Sequence, residues 1–372
     1  MKKVLFIFGT RPEAIKLVPL INVFKRNVSH FNVKICVTAQ HRLMLDQVLD
    51  FFQIKPDYDL ELMRSDQTLF DITSEGIKRL EKILEDASPD LIFVQGDTTT
   101  AFLGALAGFY KKIKIAHIEA GLRSNHKYSP FPEEINRKLA GHLADFHFAP
   151  TKKAVENLMK EGITNNVWEV GNTVIDALFL GLKLIKQESH NDYTEFFSKI
   201  DFSKNIILVT GHRRESFGEP FENICGALRD ISQRFNNIEI VYPVHLNPQV
   251  QKPVNKLLSG IEGVHLIEPL SYPYLIWLMN KSYLVLTDSG GIQEEAPSLG
   301  KPVLVMRDVT ERVEGISAGT AKLVGTDRDI IFKETARLID DKKEYEKMAK
   351  SLNPYGNGRS AEQILEVIEN RL

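Results

Sequence analysis

Asp288-Ser289-Gly290-Gly291-Ile292-Gln293-Glu294-Glu295 lies between the apolar run Tyr283-Leu284-Val285-Leu286-Thr287 and the segment Ala296-Pro297-Ser298-Leu299-Gly300. The apolar run reads as a buried strand, and the last segment as a short helix ending at a glycine. A strand, a small-residue turn and a helix start make one βα unit. Such a turn gathers backbone N–H groups at the positive end of a helix dipole, which suits an anion such as phosphate. Glu294 and Glu295 sit one turn further in, placed to accept hydrogen bonds from hydroxyls. A plain turn capped by Asp288 or Ser289, with its glycines there for dihedral freedom, reads equally well. The rest of the chain has to decide.

The same unit recurs on both sides of this stretch. Apolar runs at residues 4–8, 33–38, 91–94, 113–118 and 146–149 alternate with helical stretches. A second series follows Val170-Gly171-Asn172, at residues 206–210, 238–243, 265–267, 283–286 and 303–306. Strands apolar on both faces, each followed by a helix, predict parallel sheets covered on both sides. A chain of 372 residues is long for one core, and the expectation is two Rossmann-like doubly wound α/β domains. They are placed at residues 1–171, carrying acidic motifs, and 172–358, with an amphipathic tail at 359–372. Thr10 is a candidate N-cap for the first helix, with Pro12 and Glu13 in its first turn. Residues 182–204 read as a polar, irregular edge of the second domain.

Composition narrows the class. The net charge is −2, so no global field draws nucleic acid or an anionic membrane, and an anionic ligand must be held by local groups. Cys36 and Cys225 both lie in apolar segments and fit reduced thiols. Gly9-Thr10-Arg11-Pro12-Glu13 cuts short the apolar start that could imitate a signal peptide. No run approaches membrane-spanning length. The expectation is a soluble cytoplasmic chain, in which Asn27-Val28-Ser29 matches a glycosylation acceptor by chance.

Polar clusters stand where the strands end: Thr10/Arg11/Glu13/Lys16, Gln40/His41/Arg42, Gly96/Asp97, Glu119/Arg123, Thr210/His212/Arg213/Arg214, His245 and Asp288/Ser289. Ligands of open α/β sheets bind beyond the carboxyl ends of strands. So many clusters on two domains predict a cleft for a polyanion. Arg11 could offer a fork of N–H groups to a diphosphate, with Lys16 one turn later. Asp97 has no basic residue near it in sequence and competes as the N-cap of the next helix. Glu119, between strand and glycine, is expected to be partly desolvated with a raised pKa, or paired to Arg123. Glu133 and Glu134 open a helix, where the dipole favours acids, and Glu133 stands at i,i+4 to Arg137. Three carboxylates at separate strand or helix mouths could divide proton abstraction and donation. His212, beside Arg213 and Arg214, makes sense with an anion between them. The first strand is not followed by Gly-x-Gly-x-x-Gly, which disfavours a nicotinamide enzyme. There is no P-loop, and no Gly-x-Ser-x-Gly elbow. Asp57-Tyr58-Asp59 is read as surface rather than as a metal site.

Taken together, Phe8-Gly9-Thr10-Arg11-Pro12-Glu13-Ala14-Ile15-Lys16, Gln40-His41-Arg42, Gln95-Gly96-Asp97-Thr98-Thr99-Thr100, Glu119-Ala120-Gly121-Leu122-Arg123, Pro132-Glu133-Glu134-Ile135-Asn136-Arg137, Gly211-His212-Arg213-Arg214-Glu215 and the opening stretch resemble the non-hydrolysing UDP-N-acetylglucosamine 2-epimerases. The resemblance runs in order from Phe8 to about Gly325. In one place the chain departs: Thr310-Glu311-Arg312-Val313-Glu314 has valine where the family has proline, removing one fixed φ from that loop. The resemblance implies a glycosyltransferase-B-like pair of domains, with the C-terminal helix crossing back to the first. It also implies interconversion of UDP-GlcNAc and UDP-ManNAc through elimination and re-addition of UDP, with no external cofactor and no metal. By resemblance, Asp97, Glu119 and Glu133 are the acid/base carboxylates and His212 the histidine near the diphosphate. Arg11, Ser289, Gly290, Glu295 and Arg312 match UDP-holding positions, and Lys16, Arg137 and Gly291 complete the candidate substrate contacts. Gln40, His41, Gln67, Glu134, Arg213 and His245 fall where an activating second UDP-GlcNAc binds. A homodimer in a polysaccharide pathway is implied too. The alternatives are a hydrolysing 2-epimerase, a retaining glycosyltransferase and a non-catalytic nucleotide-sugar sensor.

Overall fold

The computed structural model describes residues 1–38, 42–64, 66–187 and 191–372. They form two compact units, Met1–Leu180 with Gly356–Leu372, and Gly181–Tyr355. The first is built on β1 (Lys2–Phe8), β2 (Phe31–Val37), β3 (Tyr58–Asp59), β4 (Leu91–Gln95), β5 (Lys114–Ile118), β6 (Phe146–Ala149) and β7 (Val167–Glu169), ordered β3-β2-β1-β4-β5-β6-β7. The second is built on β8 (Asn205–Thr210), β9 (Ile238–Pro243), β10 (Val264–Ile267), β11 (Leu284–Thr287), β12 (Val303–Val305) and β13 (Ala321–Leu323), ordered β10-β9-β8-β11-β12-β13. Pairing is parallel throughout, for example Val4 with Val33 and Leu91, and Val285 with Leu208 and Val303. Both sheets therefore run 3-2-1-4-5-6 over six consecutive strands, the doubly wound order.

Side chains buried on both faces explain why the strands read as continuous apolar runs. Leu5, Phe6, Ile7 and Phe8 are all buried, and Phe6 stacks on Phe93 at 4.5 Å with Phe24 edge-on to both. In the second unit Phe221, Ile224 and Leu228 of the Glu219–Arg234 helix belong to a core with Val209, Ile240 and Leu286. The last helix, Ser360–Arg371, belongs to the first unit and buries Ile364 and Ile368. Its first turn is fastened by Asp176, whose carboxylate accepts from Ala361 N at 2.8 Å and is pushed up to about 6 by burial.

The irregular edge expected at residues 182–204 is instead largely helical, in Thr173–Gln187 and Asn191–Phe196. A few large rings do the packing there. Phe197 stacks on Trp277 at 5.1 Å and Tyr193 on the same indole at 6.1 Å, so too few apolar positions recur to make a visible period. β3, β7 and β13, two or three residues each, also have no apolar run to announce them. Among the described residues, no helix is long and apolar enough to cross a membrane.

Candidate active site

Each sheet reverses its strand order once, between β1 and β4 and between β8 and β11, and open α/β sheets bind ligands at such switch points. In the first unit, Gly9 must be glycine. A β-carbon there would stand 2.1 Å from Thr38 Oγ1 and 2.6 Å from Thr100 Oγ1, which hydrogen-bond each other. Thr10 caps the first helix in a capping box with Glu13, as expected. Glu13 does more than cap. One carboxylate oxygen accepts from Gly9 N, Thr10 N and Thr10 Oγ1, and the other accepts from Thr98 Oγ1 at 2.7 Å. It thus ties the helix start carrying Arg11 to the loop carrying Asp97 across the switch point.

Burial drives the Glu13 carboxyl up to about 7 from 4.5, although all four donors pull it down. An acid with a raised folded-state pKa favours folding fully below 4.5, and that contribution is lost as pH rises through 7. His117, fully buried, donates Nε2–H to Gly96 O at 2.7 Å and is driven down to about 4 by burial. Its contribution has the opposite sign, present above 6.5 and lost as pH falls through 4. Denaturation of Glu13→Gln at pH 5 and pH 8 should therefore show its stability gaining on the wild type by about 2 to 3 kcal/mol between the two. An unchanged difference would place the charged carboxylate in a well-solvated site.

Asp97 is not the helix cap. Thr98 is, accepting from Ala101 N at 3.0 Å, and the Asp97 carboxylate instead receives Arg137 Nη2. The basic partner lies 40 residues away in sequence, which is why local reading found none. Arg137 also reaches Glu134 at 3.4 Å, so the i,i+4 pairing with Glu133 is not made. Glu119 holds a left-handed backbone, φ 62°, and its carboxylate is bonded by Lys16 Nζ and by Gln95 Nε2. The expected Glu119–Arg123 pair is absent, because Arg123 is bidentate to Glu161 at 2.6 and 2.8 Å. Left-handed backbone at a non-glycine residue costs on the order of 1–3 kcal/mol and is often kept at functional sites. Glu133 stands at the start of the Glu133–Leu143 helix with Oε2 buried and lacking a hydrogen-bond partner. Glu134, fully buried, accepts from Ser124 N and Asn125 N and so shapes the preceding loop. Gln67 accepts from Arg64 N. Gln40 and His41 lie outside the described residues. Asp57 accepts from Ile35 N and Lys34 Nζ at the sheet edge.

In the second unit the opening stretch forms the Gly290–Glu295 helix, with Ser289 as N-cap, running into a 3₁₀ turn, Ala296–Leu299, that Gly300 ends. Asp288 does not cap it. The buried Asp288 carboxylate crosses the switch point and accepts from His212 N at 2.6 Å and Arg213 N at 2.7 Å. Thr287 Oγ1 joins the same web, meeting Thr210 Oγ1 and accepting from Ser289 N. His212 and His245 stack, ring centroids 5.1 Å apart. Glu295 accepts from the buried Tyr272 hydroxyl at 3.0 Å. Arg312 pairs with buried Glu294 at 2.7 Å, and Gly290 lies beside its guanidinium. Thr310 Oγ1 accepts from Arg312 N and donates to Gln293, so this loop is pinned without a proline at residue 313. Arg11 and Gly291 stand part-buried in the first turns of their helices.

Residues that sequence reasoning left outside the site are Gln95, Thr98 and Tyr272. Gln95 carried a usable signal, since a buried amide closing an apolar strand needs a partner.

Two doubly wound units, each with charged groups and amides at its switch point, define a nucleotide-sugar enzyme architecture of the glycosyltransferase-B type. The family model for UDP-N-acetylglucosamine 2-epimerase matches residues 25–369, and the chain belongs to that family. A UDP-N-acetylglucosamine 2-epimerase of Campylobacter jejuni is 53% identical, covering 99% of this chain and 97% of the relative. The crystal structure of UDP-GlcNAc 2-epimerase from Neisseria meningitidis bound to UDP-GlcNAc is similar at a TM-score of 0.91 and 48% identity, covering 99% of this chain and 100% of that one. That of Methanocaldococcus jannaschii, in complex with UDP-GlcNAc and UDP, is similar at 0.81 and 33%, covering 99% of each chain.

Proposed function

We propose that the chain interconverts UDP-GlcNAc and UDP-ManNAc without net hydrolysis. A carboxylate takes the C2 proton as the C1–O bond breaks, UDP leaves, and a C1=C2 double bond forms in 2-acetamidoglucal. A proton then returns to the opposite face of C2 and UDP adds back at C1. The observation that supports this reading is the division among three carboxylates of one unit: Asp97 with a guanidinium, Glu119 between an ammonium and an amide, and Glu133 with a buried oxygen that nothing satisfies. Three carboxylates with different hydrogen-bond partners give one site separate groups to take a proton and to return it. The C2 proton is a poor acid, so the departing diphosphate must be stabilised. Arg11, His212, Arg312 and the amides at Ser289–Gly290 are assigned that role, with Glu295 on the ribose; fixed dipoles and charges of this kind often supply the largest catalytic term. A second UDP-GlcNAc at Gln67, Glu134, Arg213 and His245, and assembly as a homodimer, are further parts of the proposal.

The test is turnover of UDP-GlcNAc in heavy water, followed by NMR. The expected result is UDP-ManNAc with deuterium at C2 in both sugars at equilibrium. Product without solvent deuterium would exclude the elimination, and accumulation of free ManNAc and UDP would assign the hydrolysing reaction.

A further inference from the structure

We infer that Asp288 is a positioning residue for His212, fixing which ring nitrogen carries the proton. The inference rests on the reading of His212 as a group near the diphosphate. Asp288 ends β11 and His212 follows β8, the two strands at the second sheet's switch point. Asp288 is 2% exposed and its two carboxylate oxygens do different things. Oδ2 is taken by the amides of His212 and Arg213. Oδ1 is buried without a hydrogen-bond partner and lies 3.6 Å from His212 Nδ1. A buried carboxylate oxygen left unmatched is costly, and a shift of under about 1 Å would bring Nδ1–H into hydrogen-bond range. The ring is also held on one face by His245, whose own Nδ1 accepts from Asn247 N at 3.1 Å. With Nδ1 given to Asp288, the opposite nitrogen, Nε2, is the one that exchanges a proton or a hydrogen bond with an anion. The bond made by one imidazole nitrogen decides the state of the other. Support continues beneath the loop, where the buried Tyr242 hydroxyl donates to Gly211 O at 2.8 Å. The backbone of this loop is thus set independently of the ring.

Asp288→Asn separates the two roles of the carboxylate. Its amide oxygen can take both backbone N–H bonds, while its NH₂ would face Nδ1 and force that nitrogen to accept. Long-range proton–nitrogen NMR of the full chain, with the His212 signals assigned by their loss in His212→Asn, should show Nδ1 protonated in the wild type and unprotonated in Asp288→Asn. The kcat should fall about 100-fold, with KM and UDP affinity within about threefold and thermal stability near wild type. A wild-type His212 protonated only on Nε2 overturns the inference without any variant. Unchanged spectra or unchanged kcat in Asp288→Asn, with His212→Asn inactive, overturn it while leaving the reading of His212 intact. Activity retained in His212→Asn removes that reading itself.

Discussion

Asp97→Asn is expected to lower kcat by two to four orders of magnitude, the span of a lost general acid or base, while UDP binds within about threefold of wild type. The structure makes this substitution unusually clean. The helix beginning at Thr99 is capped by Thr98, so removing the Asp97 carboxylate removes no cap. The Asp97 carbonyl accepts from Asn136 Nδ2 at 3.0 Å, which keeps the loop in place whatever the side chain. Asparagine retains the volume and an oxygen for Arg137, and Arg137 keeps Glu134 nearby. Loss of activity with unchanged melting and unchanged UDP titration therefore isolates proton transfer. A non-catalytic nucleotide-sugar sensor would tolerate the change in every assay. Loss of UDP affinity by more than about tenfold would instead make Asp97 a binding group and sink the acid/base assignment.

The architecture was legible because parallel strands buried on both faces leave long apolar runs, as residues 4–8 and 206–210 do. Short edge strands leave none. The polar clusters were legible for a related reason, since each follows such a run at its carboxyl end. Their pairings were not. Neighbours in sequence suggested Glu119 with Arg123 and Glu133 with Arg137, but the fold pairs Glu119 with Lys16, 103 residues away, and Arg137 with Asp97. The left-handed backbone at Glu119 and the burial of Arg123 against Glu161 override sequence proximity. Asp288 and Glu13 show the same limit more sharply. Both read locally as helix-start acids, and both span a strand-order switch that only topology creates.

Arg312→Ala is expected to cost twice, once in stability and once in ligand affinity. Glu294 is 2% exposed and receives Arg312 Nε at 2.7 Å. Removing one partner of a buried pair typically costs about 3–5 kcal/mol, because the remaining charge loses a charge-assisted bond in a poorly solvated place. UDP should bind roughly 10- to 100-fold more weakly, as expected for a lost charge-assisted contact to phosphate of about 1.5–3 kcal/mol. The two losses can be separated, because replacing both members of a buried ion pair by apolar residues is often neutral. Arg312→Met combined with Glu294→Leu should recover most of the stability and none of the UDP affinity, read by denaturation and by calorimetric titration. The Thr310–Gln293 bond, which the double variant leaves alone, holds the loop so that the comparison is of side chains. If the single variant binds UDP like the wild type, Arg312 serves only the fold. If the double variant is as unstable as the single one, the pair is not the source of the loss.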